Sequence, residues 1–280
     1  MRRSSLTDGE RGSPTAYDSF ALAYDLYWGP ASLNWLRPLS VLLIPRLSRH
    51  ARLLDLCCGT GVLAAELTRR GYRMVGLDGS RAMLRHARTN AAGVPLVQAD
   101  ARRFGLRQQF DGVLCVFDSL NHLLSPEELR AAFSCVAACL RPGGWFLFDL
   151  NTTAGYLLHW NGRQNMGGSE CLVRTRSRYD ERSRRAVFTA DISSPGAEGR
   201  IDHQVVLHQR CHSHGEVLAA LAAAGFGSVE TYGLEGDALA AGTLDQAERA
   251  FYLCRRPLSA RQRGGNAGAA CAPVAGDVSI

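Results

Sequence analysis

Short apolar runs recur along the first half of the chain. "RLLDLC" (52–57), "RMVGLD" (73–78), "PLVQAD" (95–100), "GVLCVF" (112–117) and "WFLFDL" (145–150) are apolar at successive rather than alternate positions. Strands covered on both faces of a parallel sheet carry this pattern. Between most of them lie stretches of helical period, expected over 62–70, 81–89 and 126–140. The third is the best punctuated: Ser125 supplies an N-cap, Pro126 a first helical residue, Glu127 and Glu128 early acids, and "RPGG" (141–144) a stop. Strands alternating with helices predict an α/β fold with a doubly wound, mostly parallel open sheet, whose ligand lies beyond the strand C-terminal ends.

After Asn151 the rhythm changes. Segments near 171–179, 186–192 and 201–211 alternate apolar and polar residues between charged or Gly/Pro turns. They predict a small antiparallel meander inserted at about 165–212. "GEVLAALAAAGF" (215–226) then reads as a helix, and "GSVETYG" and "RAFYLCRR" as strands that close the sheet. Residues 1–16 are polar and the tail from 257 is rich in small residues, so disorder is expected at both ends and one domain over 17–256.

At 280 residues and 46% hydrophobic content the chain can bury one substantial core. No apolar run approaches the ~20 residues that span a bilayer, and "MRRSSLTDGERGSPTAYD" has no apolar signal centre. A cytoplasmic protein without a membrane partner is expected. Nine scattered cysteines, an odd number, read as reduced thiols rather than a disulfide framework. "CHSH" (211–214) crowds metal-ligand types together, but no second cluster completes a tetrahedral site, so no metal is expected.

The net charge of +6 is carried by arginine alone, because the chain contains no lysine. That excludes a phosphate-loop lysine and a lysine Schiff base. The richest basic run, "VRTRSRYDERSRR" (173–185), alternates like a solvated strand face, so no nucleic-acid partner is expected.

The first strand leads into a turn with Gly59 and Gly61, where missing β-carbons let a ligand approach the backbone. Gly59-x-Gly61-x-x-Ala64, followed by Asp78, formally satisfies a dinucleotide fingerprint. Asp55, inside the strand, is awkward beside a pyrophosphate and suits a cationic amino-acid portion. Asp78, ending the second strand, offers two oxygens to ribose hydroxyls. Asp100, ending the third, can accept from an adenine amino group. Each acid also has a purely structural reading, Asp55 as a buried acceptor and Asp78 or Asp100 as helix caps. Together with the glycine turn they describe an adenosyl ligand without phosphates.

"LLDLCCGTG", "GLDGSRAML", "QADARRF", "FDGVLCVFDSLNHL", "LRPGGWFLFDLN" and the terminal "AGF…FYLCRR" occur in that order. In these motifs the chain resembles the class I S-adenosylmethionine-dependent methyltransferase family over about 17–256. The resemblance implies a seven-stranded sheet with a reversed last strand and S-adenosyl-L-methionine as cofactor. It implies contacts from Asp55, Cys57, Gly59, Thr60 and Gly61 to the methionine portion and from Asp78 to the ribose, with Gly79 and Met83 also binding the cofactor. Asp100 would meet the adenine, and Ala101 and Phe117 would also bind the cofactor. Cys57 stands where the family usually has its first loop glycine, which implies a tighter loop.

Within the family the chain looks most like small single-domain enzymes such as amino-sugar N-methyltransferases. There the helix "YDSFALAYDLYW" lids the cofactor, with Tyr17 and Tyr24 against it, and the antiparallel insert covers the acceptor. The competing reading of both tyrosines is helix packing on the core.

Methyl transfer is an in-line displacement that needs alignment and exclusion of water. A base assists when the acceptor is a hydroxyl or a protonated amine. "FDSLNHLLS", at the fourth strand's end, offers His122 as that base, with Asp118 and Asn121 to orient it or bind the acceptor. A histidine that caps the next turn is the competing reading. Asp149 and Asn151 are further acceptor-binding candidates, and Tyr156, His159 and Trp160 are placed on the same side. The expected function is methylation of an N or O atom of a small metabolite by a monomer or homodimer. Competing readings are an RNA or protein methyltransferase, an NAD(P)-dependent oxidoreductase and a non-catalytic cofactor-binding module.

Overall fold

Leu53 and Leu54, adjacent on the first strand, are both fully buried and belong to different cores. Such two-sided burial is what unbroken apolar runs require. The computed structural model describes residues 16–258 except 108, 197, 198, 243 and 245. The expected disorder of 1–16 and 257–280 therefore lies, apart from Ala16, Pro257 and Leu258, outside the described residues.

The central strand β1 (Arg52–Leu56) pairs in parallel with β2 (Arg73–Asp78) on one side and β4 (Phe110–Cys115) on the other. β3 (Leu96–Gln98) extends the first side and β5 (Leu140–Asn151) the second, both in parallel. The chain thus changes direction across the sheet between β1 and β4, and a crevice opens there beyond the strand ends. β12 (Arg249–Arg255) runs antiparallel to β5 and is the reversed strand; β10 (Ser228–Glu235) pairs with it. The seven expected strands are joined by an eighth, the short edge strand β11 (Ala238–Ala241), giving the order β11-β10-β12-β5-β4-β1-β2-β3.

Helices α5 (Pro126–Cys139) and α7 (His214–Ala223) cover one face through Leu129, Phe133, Val136, Val217 and Leu221. Helices α2 (Leu36–Leu42) and α3 (Val62–Arg69) cover the other through Leu39, Leu42, Leu63 and Leu67. Ser125 caps α5 by accepting from the Glu128 N–H, as its motif predicts. "RPGG" does not separate helix from strand. β5 already begins at Leu140, and the irregular geometry appears as a register shift against Phe110 and Gly112.

The insert is a separate four-stranded antiparallel sheet of β6 (Gly162–Gly167), β7 (Leu172–Asp180), β8 (Arg185–Gly196) and β9 (Gly199–Arg210). It holds one strand more than expected, because β6 is too polar to alternate visibly. α6 (Thr153–His159) leads into it. Val173, Ile192, Val205 and Leu207 on its inner face pack on Phe20 and Ala23 of α1 (Ala16–Tyr27). Burying one such phenylalanine stabilises by roughly 1.5–3 kcal/mol. α4 (Arg81–Asn90) meets the other side of α1, where Asp18 accepts from Ser80 Oγ at 2.8 Å and Asp25 lies 3.1 Å from His86. Among the described residues no helix is long and apolar enough to cross a membrane.

Candidate functional site

The C-terminal ends of β1 to β4, the helix α1 and the inner face of the insert enclose a cavity of about 810 Å³. Its floor is the turn after β1. Cys57, Gly59 and Gly61 all have left-handed φ values, of 62°, 54° and 79°. For Cys57, the residue in the usual glycine position, that geometry costs about 1–2 kcal/mol. Asp78 holds the turn: one carboxylate oxygen accepts from the Gly59 N–H at 2.9 Å, the other from the Ser80 N–H at 2.8 Å. Each oxygen retains a second acceptor position. Burial pushes the Asp78 carboxyl up, against the lowering effect of those two N–H groups.

Cys57, Gly59, Asp78, Gly79 and Met83 line one end of the cavity, and Asp100, Ala101 and Phe117 continue it. Tyr17 and Tyr24 of α1 roof it. Three expected contacts do not reach the wall. Asp55 lies within β1, 3% exposed, with Oδ2 unpartnered, and burial followed by the Asp78 charge pushes its pKa up to about 8. Burial thus favours the protonated carboxyl in this position. Gly61 serves packing instead: a β-carbon there would come within 3.0 Å of Ala87 on α4. Thr60 is 1% exposed, and its hydroxyl lies where a Gly29 β-carbon would meet it.

Asp100 lines the cavity but is already clamped. Arg102 bonds both its oxygens, through Nε at 2.9 Å and Nη2 at 2.6 Å, and also pairs with Glu128. The Arg102 hydrogen bonds lower the Asp100 pKa.

The far end of the cavity is built around the β4 terminus. Phe117 and Asp118 are consecutive left-handed residues, φ 65° and 49°, and neither is glycine. Asp149 sustains this bend by accepting from the Phe117 N–H at 2.7 Å and the Asp118 N–H at 3.1 Å. It also accepts from Trp35 Nε1 at 3.0 Å and from Arg249. Asp149 is wholly buried and fully engaged, so it shapes the site from behind and does not line it. Asn121 and Asn151 stand in the same layer, with Asn121 accepting from the Asn151 N–H and donating to the Arg210 carbonyl. Asp118 does line the cavity, bonded to Arg249 and Gln209.

His122 lines the cavity too. Its Nδ1 is 2.9 Å from the His208 carbonyl, which can only accept, so Nδ1 carries the proton. Nε2 is then an acceptor, 2.8 Å from the Tyr17 hydroxyl and 3.1 Å from Gln209 Nε2. Burial lowers the His122 pKa, against the Asp118 charge that raises it, which favours the neutral ring. Nothing in the motif "FDSLNHLLS" signalled that its ring nitrogens are both occupied.

His159 and Trp160 line the mouth, whereas Tyr156 is fully buried and donates to Gln209 Oε1 at 2.7 Å. Sequence reasoning missed Gln209, Arg249, Phe188 and Arg102, all on the cavity wall. Arg249 opens the segment "RAFYLCRR" and Phe188 alternates inward on β8, but neither pattern carries a motif. His212 of "CHSH" is a core residue that donates from Nε2 to the Leu123 carbonyl.

A family model described as a methyltransferase domain matches residues 53–144. A dTDP-3-amino-3,4,6-trideoxy-alpha-D-glucopyranose N,N-dimethyltransferase of Streptomyces venezuelae is 38% identical over 99 residues, 35% of this chain and 42% of that protein. A ubiquinone biosynthesis O-methyltransferase of Chromobacterium violaceum is 30% identical over 155 residues, 50% of this chain and 65% of that protein. The chain spans about half the length of the curated relatives it matches. Among solved structures, the sugar N-methyltransferase KedS8 from Streptoalloteichus is 25% identical, with a TM-score of 0.66 over 92% of this chain and 99% of that one.

The residues present fit an adenosyl-methionine group. Asp78 has acceptor positions to spare, Met83 and Ala101 give apolar contact, and Gly59 leaves the bend beneath Tyr24 without a side chain. Motif order, sheet order and the matched domain agree: residues 53–144 are similar to a methyltransferase domain, set in a fold similar to that of a solved sugar N-methyltransferase.

Proposed function

We propose that the protein methylates an amine nitrogen of a small metabolite, an amino sugar by analogy with the printed name of the Streptomyces relative. The observation that carries this reading is one cavity lined at one end by Gly59, Asp78 and Asp100 and at the other by Tyr17, Asp118 and His122. S-adenosylmethionine supplies a methyl group bonded to a sulfonium. Asp78 would hold its ribose, Asp100 and Ala101 its adenine, and the turn at Cys57 and Gly59 its amino-acid portion.

The chain's own task is then to present a neutral amine, desolvated and aligned. Tyr17 donates its proton to His122, which leaves its oxygen as an acceptor for an amine N–H. Asp118 adds a carboxylate that favours an amine over an anionic acceptor. His122 works in this reading through Tyr17 and is a positioning residue. Roofing by α1 and the insert excludes water. A hydroxyl acceptor would need a base with a free lone pair, and His122 Nε2 already has Tyr17 and Gln209 as partners.

We read the described span as one catalytic unit acting in the cytoplasm, a setting supported by cysteines that are all free among the described residues. Incubation with S-adenosylmethionine and a panel of amines and matched alcohols, free and sugar-nucleotide-linked, tests the proposal by mass spectrometry. A one-methyl gain on amines is expected; a gain confined to alcohols, or none at all, overturns it.

A further inference from the structure

Gln209 is 2% exposed and lies near the end of β9, yet three separate elements converge on its amide. Nε2 is 2.7 Å from Asp118 Oδ2 and 3.1 Å from His122 Nε2, while Oε1 accepts from the Tyr156 hydroxyl at 2.7 Å. The orientation of this amide follows from its neighbours. Asp118 is paired with Arg249 at 3.0 Å and, as a carboxylate, can only accept, so the nitrogen must face it. Tyr156 then donates to the oxygen on the other side. One amide N–H is thereby spent on Asp118 and the second points at the imidazole.

This arrangement dictates the protonation of His122. An imidazolium would place an N–H at Nε2 directly against the amide N–H, donor facing donor at 3.1 Å. Nδ1 offers no escape, because its proton is already given to the His208 carbonyl. The remaining groups around the ring are Tyr17 from α1, in edge contact at 5.4 Å between centroids, and the Asp118 carboxylate, whose charge favours an imidazolium. That attraction is divided, since Asp118 is shared with Arg249 and Gln209.

We infer that Gln209, aimed by Tyr156, is a positioning residue that locks His122 as a neutral acceptor for the Tyr17 hydroxyl. Its role in turnover rests on the proposed function; its effect on His122 does not. Protons move only within existing hydrogen bonds, and no bond to carbon is made or broken by this group.

The test is the titration of His122 in the full chain by 15N and 13C imidazole NMR, assigned with His122→Gln. In the wild-type protein the ring should stay neutral, with the proton on Nδ1, to a pH below the ordinary histidine range. Gln209→Glu puts a carboxylate against Nε2 and should raise the His122 titration by about one pH unit or more. Tyr156→Phe removes the hydroxyl that aims the amide, and should raise the midpoint in the same direction by a smaller step. Gln209→Met, which lacks both donor and acceptor, should fall between wild type and Gln209→Glu.

A His122 midpoint unchanged in both Gln209→Glu and Tyr156→Phe, or a wild-type ring with its proton on Nε2, overturns the inference. If Gln209→Glu does not fold, Tyr156→Phe and Gln209→Met decide it. Once a methyl acceptor is in hand, the pH–rate profile of Gln209→Glu should gain an acid limb that tracks the NMR midpoint. Absence of turnover with a shifted midpoint would count against the proposed function while leaving this inference standing.

Discussion

Arg249 holds Asp118 at 3.0 Å from the one strand that runs antiparallel to β5, and the same nitrogen bonds Asp149. Two carboxylates and one guanidinium thus share a buried volume at the cavity's end, with the guanidinium 4.8 Å from the Trp35 ring centroid. Removing the cation strands two acids away from water. Arg249→Met should destabilise the fold by about 3–5 kcal/mol, read as a fall in urea midpoint. The double variant Arg249→Met/Asp149→Asn should recover part of that loss.

Asp78 fastens the cofactor turn through the Gly59 and Ser80 N–H groups. Asp78→Ala should weaken S-adenosylhomocysteine binding by about 1–3 kcal/mol in calorimetry. Asp78→Asn keeps the shape but turns an amide N–H against the Gly59 or Ser80 N–H, and should also weaken binding relative to wild type. Wild-type affinity in Asp78→Ala would remove this carboxylate from the ligand.

His122 positions Tyr17, so its loss should be felt in chemistry rather than in cofactor affinity. His122→Ala should lower turnover by on the order of tenfold to a hundredfold, with S-adenosylhomocysteine affinity near the wild-type value. Equal losses in both would indicate collapse of the cavity wall.

His212 is buried in its neutral form, and burial pushes its pKa down to about 4 from 6.5. The unfolded chain therefore binds the extra proton first as pH falls. Its contribution is fully present above pH 6.5 and is lost progressively toward pH 4, reaching about 3 kcal/mol. Urea midpoints of His212→Asn should vary less between pH 7 and pH 4.5 than those of the wild-type protein.

Asp55 behaves oppositely. Its pKa is raised from 3.8 to about 8, so the folded state holds a proton that the unfolded state gives up. The stability it contributes is complete below pH 3.8 and is lost as pH rises through 8. Asp55→Asn should flatten the fall in melting temperature between pH 6 and pH 9.

The parallel half of the fold is legible because β1, β2, β4 and β5 are apolar on both faces and Ser125, Pro126 and Glu128 mark a helix start. β11 and β6 escaped notice because small or polar residues at a sheet edge leave no periodic signal. The same distinction governs the site. Asp78 ends β2, where position alone brings it to the cavity, and Asp100 lies just past the end of β3 rather than ending it, whereas Asp149, near the end of β5, is consumed by holding the Phe117–Asp118 bend. Gln209 and Arg249 come from elements more than 85 residues beyond His122, and only tertiary pairing brings them beside it.

Phe20 and Ala23 share one core with Val173, Ile192, Val205 and Leu207, which joins α1 and the inserted sheet into one cover over the cavity. Lifting that cover would therefore also separate Asp18 and Asp25 from their partners on α4.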